Sequence, residues 1–459
     1  MIHVHLIGIG GSGLSAIARL LLESGFSVSG SDRTQSDLAK QLAAAGATVF
    51  TGHTAENIRG ADLVVRSSAI PDSNPEVTAA LAAGIPVLKR ADFLGQLMRG
   101  RLGIAVAGTH GKTTTTAMLA WLLVACGEDP SYIIGGVSKN LNNNAHAGRG
   151  QAFVIEADEY DRMFLGLSPQ IAVVTMMEHD HPDCFPTAQE YYDAFAAFVR
   201  RLQPGGLLLT SADDPHAPAL AAELPAGCRH LSYGMSPSAD LRASSLTRNS
   251  AGGFTFQVID NTGEMVMEIA LEVPGEHNVR NALAAFAVAR ELSLDLAAAA
   301  SALARFSGTG RRFDLRGEAN GVVIIDDYAH HPTEIRATLA AARSRYADRR
   351  IWAVWQPHTY SRTLALLPEF KNAFGDADQV IVTAIYAARE KDPGFSAGQV
   401  VTEMPHPAAR YIPALTDVRD TLLAELQPGD VVLVLSAGDA DQVSTQILAA
   451  LHHKEESHA

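Results

Sequence analysis

Cysteine is scarce in this chain. Only three cysteines occur in 459 residues, Cys126, Cys184 and Cys228, and they lie far apart with no Cys-x-x-Cys pair. This spacing favours neither a disulfide framework nor a thiolate zinc site, and it is typical of a reducing compartment. We therefore expect a cytoplasmic protein.

Long apolar runs and an excess of positive charge are also missing. No uninterrupted apolar stretch reaches the roughly 18 residues of a membrane-spanning helix, so membrane insertion is not expected. Lysine and arginine number 36 against 50 aspartates and glutamates, which gives a formal net charge of −14 and argues against non-specific nucleic-acid binding. With 47% hydrophobic and 19% charged residues, the chain has the composition of a globular protein with about two to four domains.

The motif that points most directly to a chemistry is a glycine-rich loop, Gly-Thr-His-Gly-Lys-Thr at residues 108–113. It follows an apolar run at 104–107 that predicts a buried strand, and it leads into a predicted helix. Triphosphates bind at such places, because glycines let backbone N–H groups approach the phosphates and a helix N-terminus adds partial positive charge. Lys112 would reach the β- and γ-phosphates, and the Thr113 hydroxyl would hold Mg²⁺. The loop departs from the general motif G-x-x-x-x-G-K-[ST] at one position, because Val106 stands where that motif has its first glycine. The alternative to a phosphate site is a plain surface turn, which a Gly-Lys-Thr sequence can also form.

A second glycine pattern lies near the N-terminus. Gly8, Gly10 and Gly13 fit G-x-G-x-x-G after a predicted strand, and Asp32 follows about 20 residues later. This is the context of a dinucleotide-binding βαβ unit, in which the loop holds a pyrophosphate. The alternative is a tight turn that packs the next helix closely and binds no ligand.

Acids and histidines follow two further predicted strands. Glu156 ends the strand at 152–156, and the strand at 171–175 leads to His179 and His181. A divalent ion on a triphosphate needs hard oxygen ligands, which acids at strand ends supply. Mg²⁺ seldom takes imidazole, whereas Mn²⁺ accepts it. A solvated acidic turn and surface histidines are the alternatives.

The last part of the sequence predicts an adenine contact, a hinge and a second polar cleft. Asn278 and Asn281 begin an alanine-rich helix, where their amides suit either adenine or helix capping. A glycine-containing stretch at 306–313 carries an Arg-Arg pair and predicts a hinge. Asp, Tyr and His follow the strand at 321–326, and His, Tyr and Arg follow the strand at 351–355. This arrangement predicts closure of one domain over substrate held by another.

Together these motifs resemble the Mur ligase family over nearly the whole chain. The matching segments are 8–13 (Gly-Ile-Gly-Gly-Ser-Gly), 108–113, 156–159 (Glu-Ala-Asp-Glu), 180–181 (Asp-His), 275–278 (Gly-Glu-His-Asn) with Asn281, 311–313 (Arg-Arg-Phe), 326–334 (Asp-Asp-Tyr-Ala-His-His-Pro-Thr-Glu) and 356–358 (Gln-Pro-His). The family's loop is G-T-x-G-K-[ST], which accounts for Val106. The resemblance implies an α/β fold in three domains. These are a Rossmann-like N-terminal UDP-sugar-binding domain at 1–100, a P-loop ATPase central domain with a mixed sheet at 101–312, and a Rossmann-like C-terminal domain for the amino-acid substrate at 313–459.

The resemblance also implies roles for individual residues. ATP would be bound by Gly108, Thr109, His110, Gly111, Lys112, Thr113, Thr114, Asn278, Asn281, Arg312 and Asp327. One or two Mg²⁺ ions would be held by Thr113, Glu156 and His181, with Mn²⁺ as a substitute. The UDP-sugar and the amino acid would be bound by Gly8, Gly10, Gly11, Ser12, Gly13, Asp32, Ser67, Ser68, Tyr328, His330, His358 and Arg362. The residues expected to act in catalysis are Lys112, Glu156, His181, His330, His358 and Arg362.

The activity that the resemblance implies is an ATP-dependent amide ligation in peptidoglycan precursor synthesis. The carboxylate of UDP-N-acetylmuramate would attack the γ-phosphate to give an acyl phosphate, and L-alanine would then displace phosphate, leaving ADP. The base that takes the proton from the amine is either His330 or His358. Related ligases carry a carbamylated lysine where residues 188–202 contain none, which agrees with the alanine-adding branch. The family usually has an arginine where Thr359 stands, so Arg362 is the alternative partner for the amino-acid carboxylate.

Three other functions remain to be compared with this one. Attachment of a recycled tripeptide to the same sugar is favoured by Tyr160 and by the run at 315–321. An NAD-dependent dehydrogenase would explain the first glycine loop but not a phosphate loop with its own metal acids. A non-catalytic nucleotide-gated binding protein would not need the intact set of Lys112, Glu156 and His181. No particular oligomeric state is predicted.

Overall fold

The computed structural model describes residues 2–458, whose strands form three separate sheets of five, ten and six strands. These sheets define an N-terminal, a central and a C-terminal domain. The expected α/β fold in three domains is therefore confirmed. No helix within residues 2–458 is both long and apolar enough to cross a membrane.

The N-terminal sheet is entirely parallel, with the strand order β3-β2-β1-β4-β5. Its strands are β1 (His3–Ile7), β2 (Ser27–Asp32), β3 (Thr48–Thr51), β4 (Leu63–Arg66) and β5 (Val87–Lys89). The accompanying helices are α1 (Ser12–Glu23), α2 (Asp37–Ala44), α3 (Pro75–Ala82) and α4 (Arg90–Met98). The strand order reverses direction at β1, and the first glycine loop follows that strand. Open parallel sheets bind ligands at such a switch point.

The central sheet is mixed and follows the order β15-β14-β13-β12-β11-β10-β6-β9-β7-β8. Its strands are β6 (Leu102–Ala107), β7 (Ser131–Ser138), β8 (Asn143–His146), β9 (Ala152–Glu156), β10 (Ile171–Val174), β11 (Leu207–Ser211), β12 (Arg229–Gly234), β13 (Leu241–Arg248), β14 (Phe254–Asp260) and β15 (Met265–Ala270). The helices are α5 (Lys112–Ala125), α6 (Ala188–Val199), α7 (Glu276–Glu291) and α8 (Leu296–Ala304). Strand β6 lies between β9 and β10 and is parallel to both, so three strand ends meet at one edge.

The C-terminal sheet has the order β16-β17-β21-β18-β19-β20, and only the β16–β17 pair is antiparallel. Its strands are β16 (Asp314–Ala319), β17 (Val322–Asp327), β18 (Ile351–Gln356), β19 (Gln379–Val382), β20 (Ala409–Tyr411) and β21 (Val431–Ser436). The helices are α9 (Pro332–Arg345), α10 (Tyr360–Ala365), α11 (Leu367–Phe370), α12 (Ala397–Glu403), α13 (Leu415–Glu425) and α14 (Asp441–His458).

The central strands of each sheet are buried on both faces. Every residue of β17, β18 and β21 is buried, which explains why these segments are continuous apolar runs without alternation. The polar residues that follow them therefore lie at the edge of a rigid core. This edge of the C-terminal sheet supplies Tyr328, His330 and His358.

The edges of the central sheet are antiparallel. The polar run at 140–144 forms a turn at 140–142 and then begins β8 at Asn143, which pairs antiparallel with β7. The alternating runs at 253–259 and 265–273 lie on β14 and β15, which pair antiparallel, whereas β12 pairs parallel with β11 and β13.

Candidate active site

The glycine-rich loop at residues 108–113, called the phosphate loop below, joins β6 to α5. Gly108 and Gly111 have φ angles of +133° and +81°, which only glycine adopts without strain. A side chain at Gly108 would also collide with the Thr175 hydroxyl, because an added Cβ would lie 2.1 Å from it. The first four N–H groups of α5 have no partner within the helix and begin at Lys112, so the loop has the geometry of an anion site.

A cavity of about 310 Å³ lies on one side of this loop, between the central and C-terminal domains. The residues expected to bind ATP that line it are His110, Gly111, Thr113, Thr114, Asn278, Asn281, Arg312 and Asp327. The Asn278 amide donates to the Pro274 carbonyl at 2.7 Å, and the Asn281 amide donates to Asn278 at 3.2 Å. These contacts fix the orientation of both amides at the start of α7.

A second cavity of about 310 Å³ lies on the other side of the loop. The expected site residues that line it are Ser12, Gly13, Thr109, Lys112, Glu156, His181, Tyr328, His330, His358 and Arg362, and Gly111, Thr113 and Arg312 line both cavities. All three domains contribute to this second cavity. The residues predicted for the metal and the amino acid therefore meet in one place, together with Ser12 and Gly13 of the predicted sugar site.

The remaining residues of the first glycine loop lie beside this cavity without lining it. The Gly10 N–H donates to the Asp32 carboxylate at 3.0 Å, and Asp32 thus holds the loop from β2. Gly8 packs against Ser67, where an added Cβ would lie 3.3 Å from the serine Cβ. Gly8, Gly10, Gly11, Asp32, Ser67 and Ser68 are absent from the linings of both cavities, and Gly108 is absent as well.

Carboxylates from the end of β9 face the phosphate loop. The Thr113 hydroxyl donates to Glu156 at 2.9 Å, and the Gly135 N–H donates to the other Glu156 oxygen at 2.7 Å. The Lys112 ammonium donates to Glu159 at 2.9 Å and to the Gly108 carbonyl at 2.6 Å. Burial lowers the pKa of Lys112, but the charge of Glu159 outweighs it and raises that pKa above its usual value. Lys112 is therefore a cation.

His181 lies further along the same edge, after β10. Its Nε2 is 3.7 Å from Asp180 and 3.9 Å from Glu159, and its ring contacts the edge of Tyr160 at 5.0 Å between centroids. Arg362 donates to its Nδ1 at 3.4 Å. His181 therefore shares the second cavity with Thr113 and Glu156, but its closest charged neighbours are Glu159, Asp180 and Arg362.

His330 and His358 have opposite hydrogen-bonding patterns. His330 Nδ1 lies 2.9 Å from the Tyr328 carbonyl, which can only accept, so Nδ1 carries the proton and Nε2 holds the lone pair. His358 Nδ1 lies 3.1 Å from the Arg362 guanidinium, which can only donate, so its Nε2 carries the proton. Burial lowers the pKa of His330 to about 3, and burial together with Arg362 lowers that of His358 to about 4. Both rings are neutral at pH 7.

Sequence reasoning missed a cluster that joins the central domain to the C-terminal domain. His110 lies 2.8 Å from Glu178 through Nε2 and 3.2 Å from Glu334 through Nδ1. Burial lowers the pKa of His110, but the hydrogen bonds that it donates to these two carboxylates outweigh burial and raise the pKa to about 9. Glu178 belongs to the run of acids and histidines after β10, but the sequence could not show that it faces helix α9.

Arg90 was also missed, and no sequence signal marks it. It begins α4 and crosses over Gly13, where an added Cβ would lie 1.8 Å from Nη1. Its Nη2 lies 3.5 Å from Asp158 in the central domain. Gly13 is therefore needed so that this guanidinium can reach the second cavity.

Three family profiles cover most of the chain. They are described as the Mur ligase family catalytic domain at residues 3–102, the Mur ligase middle domain at 106–289 and the Mur ligase glutamate ligase domain at 311–438. The order of the three matches follows the order of the three sheets.

Curated relatives and solved structures agree with these profiles. A UDP-N-acetylmuramate–L-alanine ligase of Geobacter sp. is 45% identical, covering 99% of this chain and 98% of its own length. An enzyme of the same name from Chlorobium phaeovibrioides is 42% identical, covering 97% of this chain and 96% of its own. The crystal structure of the UDP-N-acetylmuramate–alanine ligase of Thermotoga maritima aligns with a TM-score of 0.82 at 29% identity, covering 99% of this chain and 100% of that one. A murein peptide ligase of Psychrobacter arcticus aligns with a TM-score of 0.72 at 27% identity, covering 98% and 99%. With sequence profiles, relatives and fold in agreement, the chain belongs to the Mur ligase family.

Proposed function

We propose that this chain is an ATP-dependent ligase that joins L-alanine to UDP-N-acetylmuramate through an acyl-phosphate intermediate. The observation that carries the proposal is that one phosphate loop separates two cavities, so that Gly111 and Thr113 line both. A phosphoryl group could then pass from a nucleotide in the first cavity to a carboxylate in the second. The curated relatives at 42–45% identity that bear this enzyme's name support the choice of substrates.

ATP is proposed to occupy the first cavity. Asn278 and Asn281 would contact adenine, and Asp327 and Arg312 would contact the ribose or phosphates. Lys112 would bind the β- and γ-phosphates. To do so, its ammonium would leave Glu159 and donate to phosphate oxygens instead. Positioning and neutralisation of charge are most of what a phosphoryl transfer requires from a protein.

Mg²⁺ is proposed to bind beside the phosphates. The Thr113 hydroxyl and a Glu156 carboxylate oxygen lie 2.9 Å apart in the second cavity, and both are the hard oxygen donors that this ion prefers. His181 shares that cavity and would suit Mn²⁺ as well. The ion supplies positive charge that stabilises the transferring phosphoryl group.

UDP-N-acetylmuramate is proposed to bind between the N-terminal and central domains. Ser12 and Gly13 extend from the first glycine loop into the second cavity. The loop, with Ser67 and Ser68 nearby, would hold the diphosphate. The sugar carboxylate would then point to the phosphate loop, where it would attack the γ-phosphate, displace ADP and give an acyl phosphate.

His330 is the proposed proton acceptor for the second step. Its free Nε2 lone pair can take a proton from the alanine ammonium, whereas the His358 Nε2 already carries one and can only donate. An acyl phosphate beside His330 would raise its pKa from the low value set by burial. The neutral amine then attacks the acyl carbonyl, and phosphate leaves.

The proposed domains are 1–100 for the UDP-sugar, 101–312 for ATP and 313–459 for the amino acid. They follow the three sheets, and the stretch at 306–313 connects the last two. In this arrangement each domain is assigned one substrate, while the cavities lie between domains, so reaction requires all three domains to meet.

Phosphate release with defined substrates tests the proposal. The purified chain is supplied with ATP, Mg²⁺ and UDP-N-acetylmuramate, and L-alanine, L-serine, glycine or the recycled tripeptide is added in turn. We expect phosphate release to require both the UDP-sugar and L-alanine. If only the tripeptide supported phosphate release, the tripeptide and not alanine would be the added group. Phosphate release without the UDP-sugar would overturn the ligase assignment.

A further inference from the structure

Two histidines and a glutamate converge where the central and C-terminal domains meet. His110 comes from the phosphate loop, Glu178 follows β10, and His331 caps helix α9. One ligand atom from each lies within 4.8 Å of the other two, and among residues 2–458 this is the one set of three such side chains gathered this closely. The His110 and His331 rings are 4.8 Å apart between centroids.

The donor set suits a transition metal. Two imidazoles and one carboxylate are the protein ligands of many zinc sites, whereas Mg²⁺ and Ca²⁺ prefer oxygen donors alone. His110 offers Nε2, which lies 2.8 Å from Glu178 Oε2, and His331 Nδ1 lies 3.6 Å from that same oxygen. Moderate movements of these three side chains would place their donor atoms around one ion.

Further residues orient two of the three ligands. Glu334 accepts from His110 Nδ1 at 3.2 Å, which fixes the ring and leaves Nε2 facing Glu178. Thr333 donates to Glu178 Oε1 at 3.0 Å, which leaves Oε2 facing the histidines. A histidine backed by a carboxylate, and a carboxylate held by a hydroxyl, are the usual supports of metal ligands.

His331 is only weakly engaged by its present partners. It is 1% exposed. Its Nδ1 accepts a long hydrogen bond of 3.3 Å from the Thr333 N–H, and its buried Nε2 has no hydrogen-bond partner among the described residues. Because Nδ1 accepts, it holds the lone pair of the neutral ring, on the nitrogen that lies 3.6 Å from Glu178, and only this long hydrogen bond engages it.

We propose that His110, Glu178 and His331 form a binding site for a dication of the Zn²⁺ type, separate from the Mg²⁺ ion that accompanies ATP. The site draws two ligands from the central domain and one from the C-terminal domain. An ion bound there holds the two domains together beside the phosphate loop. A zinc-type ion therefore stabilises the arrangement in which these two domains are in contact, and it takes no part in the reaction itself.

Co²⁺ is the probe for the test, because it replaces Zn²⁺ and its visible absorption depends on ligand geometry. The full-length protein, freed of metal by chelation, is titrated with CoCl₂ without nucleotide or Mg²⁺. We expect one tight site per chain with the intense absorption of a four- or five-coordinate ion. Failure to bind one equivalent would overturn the proposal.

Two variants remove ligands while preserving local structure. His331→Asn keeps a side chain that caps helices well, and Glu178→Gln keeps a group that can accept from Thr333. Each should weaken Co²⁺ binding more than the 10- to 100-fold that loss of a supporting residue typically costs. Thermal unfolding of the metal-free variants checks that each one folds.

Two histidine controls locate the ion. His216→Asn changes an exposed histidine of the central domain, and His181→Asn changes the histidine expected beside Mg²⁺. Both should bind Co²⁺ as the wild type does. Loss of binding in His181→Asn, or wild-type binding in both His331→Asn and Glu178→Gln, would place the ion elsewhere and overturn the assignment.

Discussion

Arg362 and Asp180 form a buried ion pair between the C-terminal and central domains. Nε donates to Oδ1 at 2.8 Å and Nη2 to Oδ2 at 3.3 Å, and each side chain is 4% exposed. Burial raises the pKa of Asp180, but His181 and Arg362 outweigh it and hold that pKa well below its ordinary value. The guanidinium proposed for the amino-acid carboxylate is thus already held in place by a carboxylate of the protein.

Asp180→Asn should destabilise the protein by about 3 kcal/mol, because breaking a buried pair leaves an uncompensated buried charge. The measurement is the free energy of unfolding in urea. Glu425→Gln is the control, since the Arg410–Glu425 pair is also bidentate but lies on the surface, and its loss should cost less than about 1 kcal/mol. Equal effects of the two substitutions would show that the buried pair does not stabilise the interface.

Lys112→Met should lower kcat for phosphate release by about 10² to 10³, which is typical for loss of one electrostatic contact to a transition state. It should also reduce stability, because Glu159 loses its buried partner. The double variant Lys112→Met, Glu159→Gln should recover stability but not activity. Turnover by Lys112→Met at the wild-type rate would exclude the proposed phosphate contact.

His330→Asn and His358→Asn should have different kinetic effects. His330→Asn removes the free Nε2 lone pair, so kcat should fall by about 10² or more. His358→Asn removes a donor, so the KM for alanine should rise while kcat changes less. The readout is steady-state kinetics with alanine as the varied substrate. The reverse pattern would assign the base to His358.

Stability should fall on the alkaline side because of His110. The folded pKa of about 9 exceeds the usual 6.5, so the stabilising contribution is fully present below pH 6.5 and is lost as pH rises through 9. In His110→Gln this alkaline decline should be weaker. The free energy of unfolding measured at several values between pH 6.5 and 9.5 gives the comparison. An unchanged slope would show that His110 is not the titrating group.

Stability should also fall on the acid side. The folded pKa values of His330 and His331 are lowered to about 3 and 4, mainly by burial, so stability present above pH 6.5 is lost as pH falls toward those values. His331→Asn should reduce this acid dependence, since it removes one buried neutral imidazole. Unfolding measured from pH 6.5 to 4 tests it, and an unaltered slope would contradict the burial argument.

Thr359 should be a strained position. Its φ and ψ of 66° and 145° lie in a region that β-branched residues rarely adopt, and its N–H is held by the Tyr386 carbonyl at 2.9 Å. Thr359→Gly should be more stable than Thr359→Ala by about 1 kcal/mol, because only glycine relaxes there. Denaturation of the two variants gives the difference directly. Equal stability would show that the backbone is not strained.

The sequence predicted the strand ends much better than the contacts across domains. Glycine spacing and apolar runs located the phosphate loop and the residues after β9 and β17, because these signals are local. Parallel pairing of β9, β6 and β10 then brings Glu156 and His181 to the same edge as Lys112, as the general rule for α/β sheets predicts.

Contacts between domains depend on how separate sheets are placed, which no local pattern encodes. The pairing of Asp180 with Arg362 spans 182 residues of sequence, and that of His110 with Glu334 spans 224. Arg90 could not be predicted either, because its guanidinium reaches the second cavity only where Gly13 has no side chain. The same limit applies to the tautomers of His330 and His358. These are set by hydrogen bonds to the Tyr328 carbonyl and from the Arg362 guanidinium, which only the folded structure shows.

The shared wall between the two cavities has a consequence for inhibitor design. Gly111, Thr113, Arg312 and Glu334 face both sides, so the partition is in places a single residue thick. One molecule with a purine-like group on one side and an acidic group on the other could cross it along the path of the phosphoryl group. Resistance to such a compound would require changes in residues that the enzyme needs for turnover.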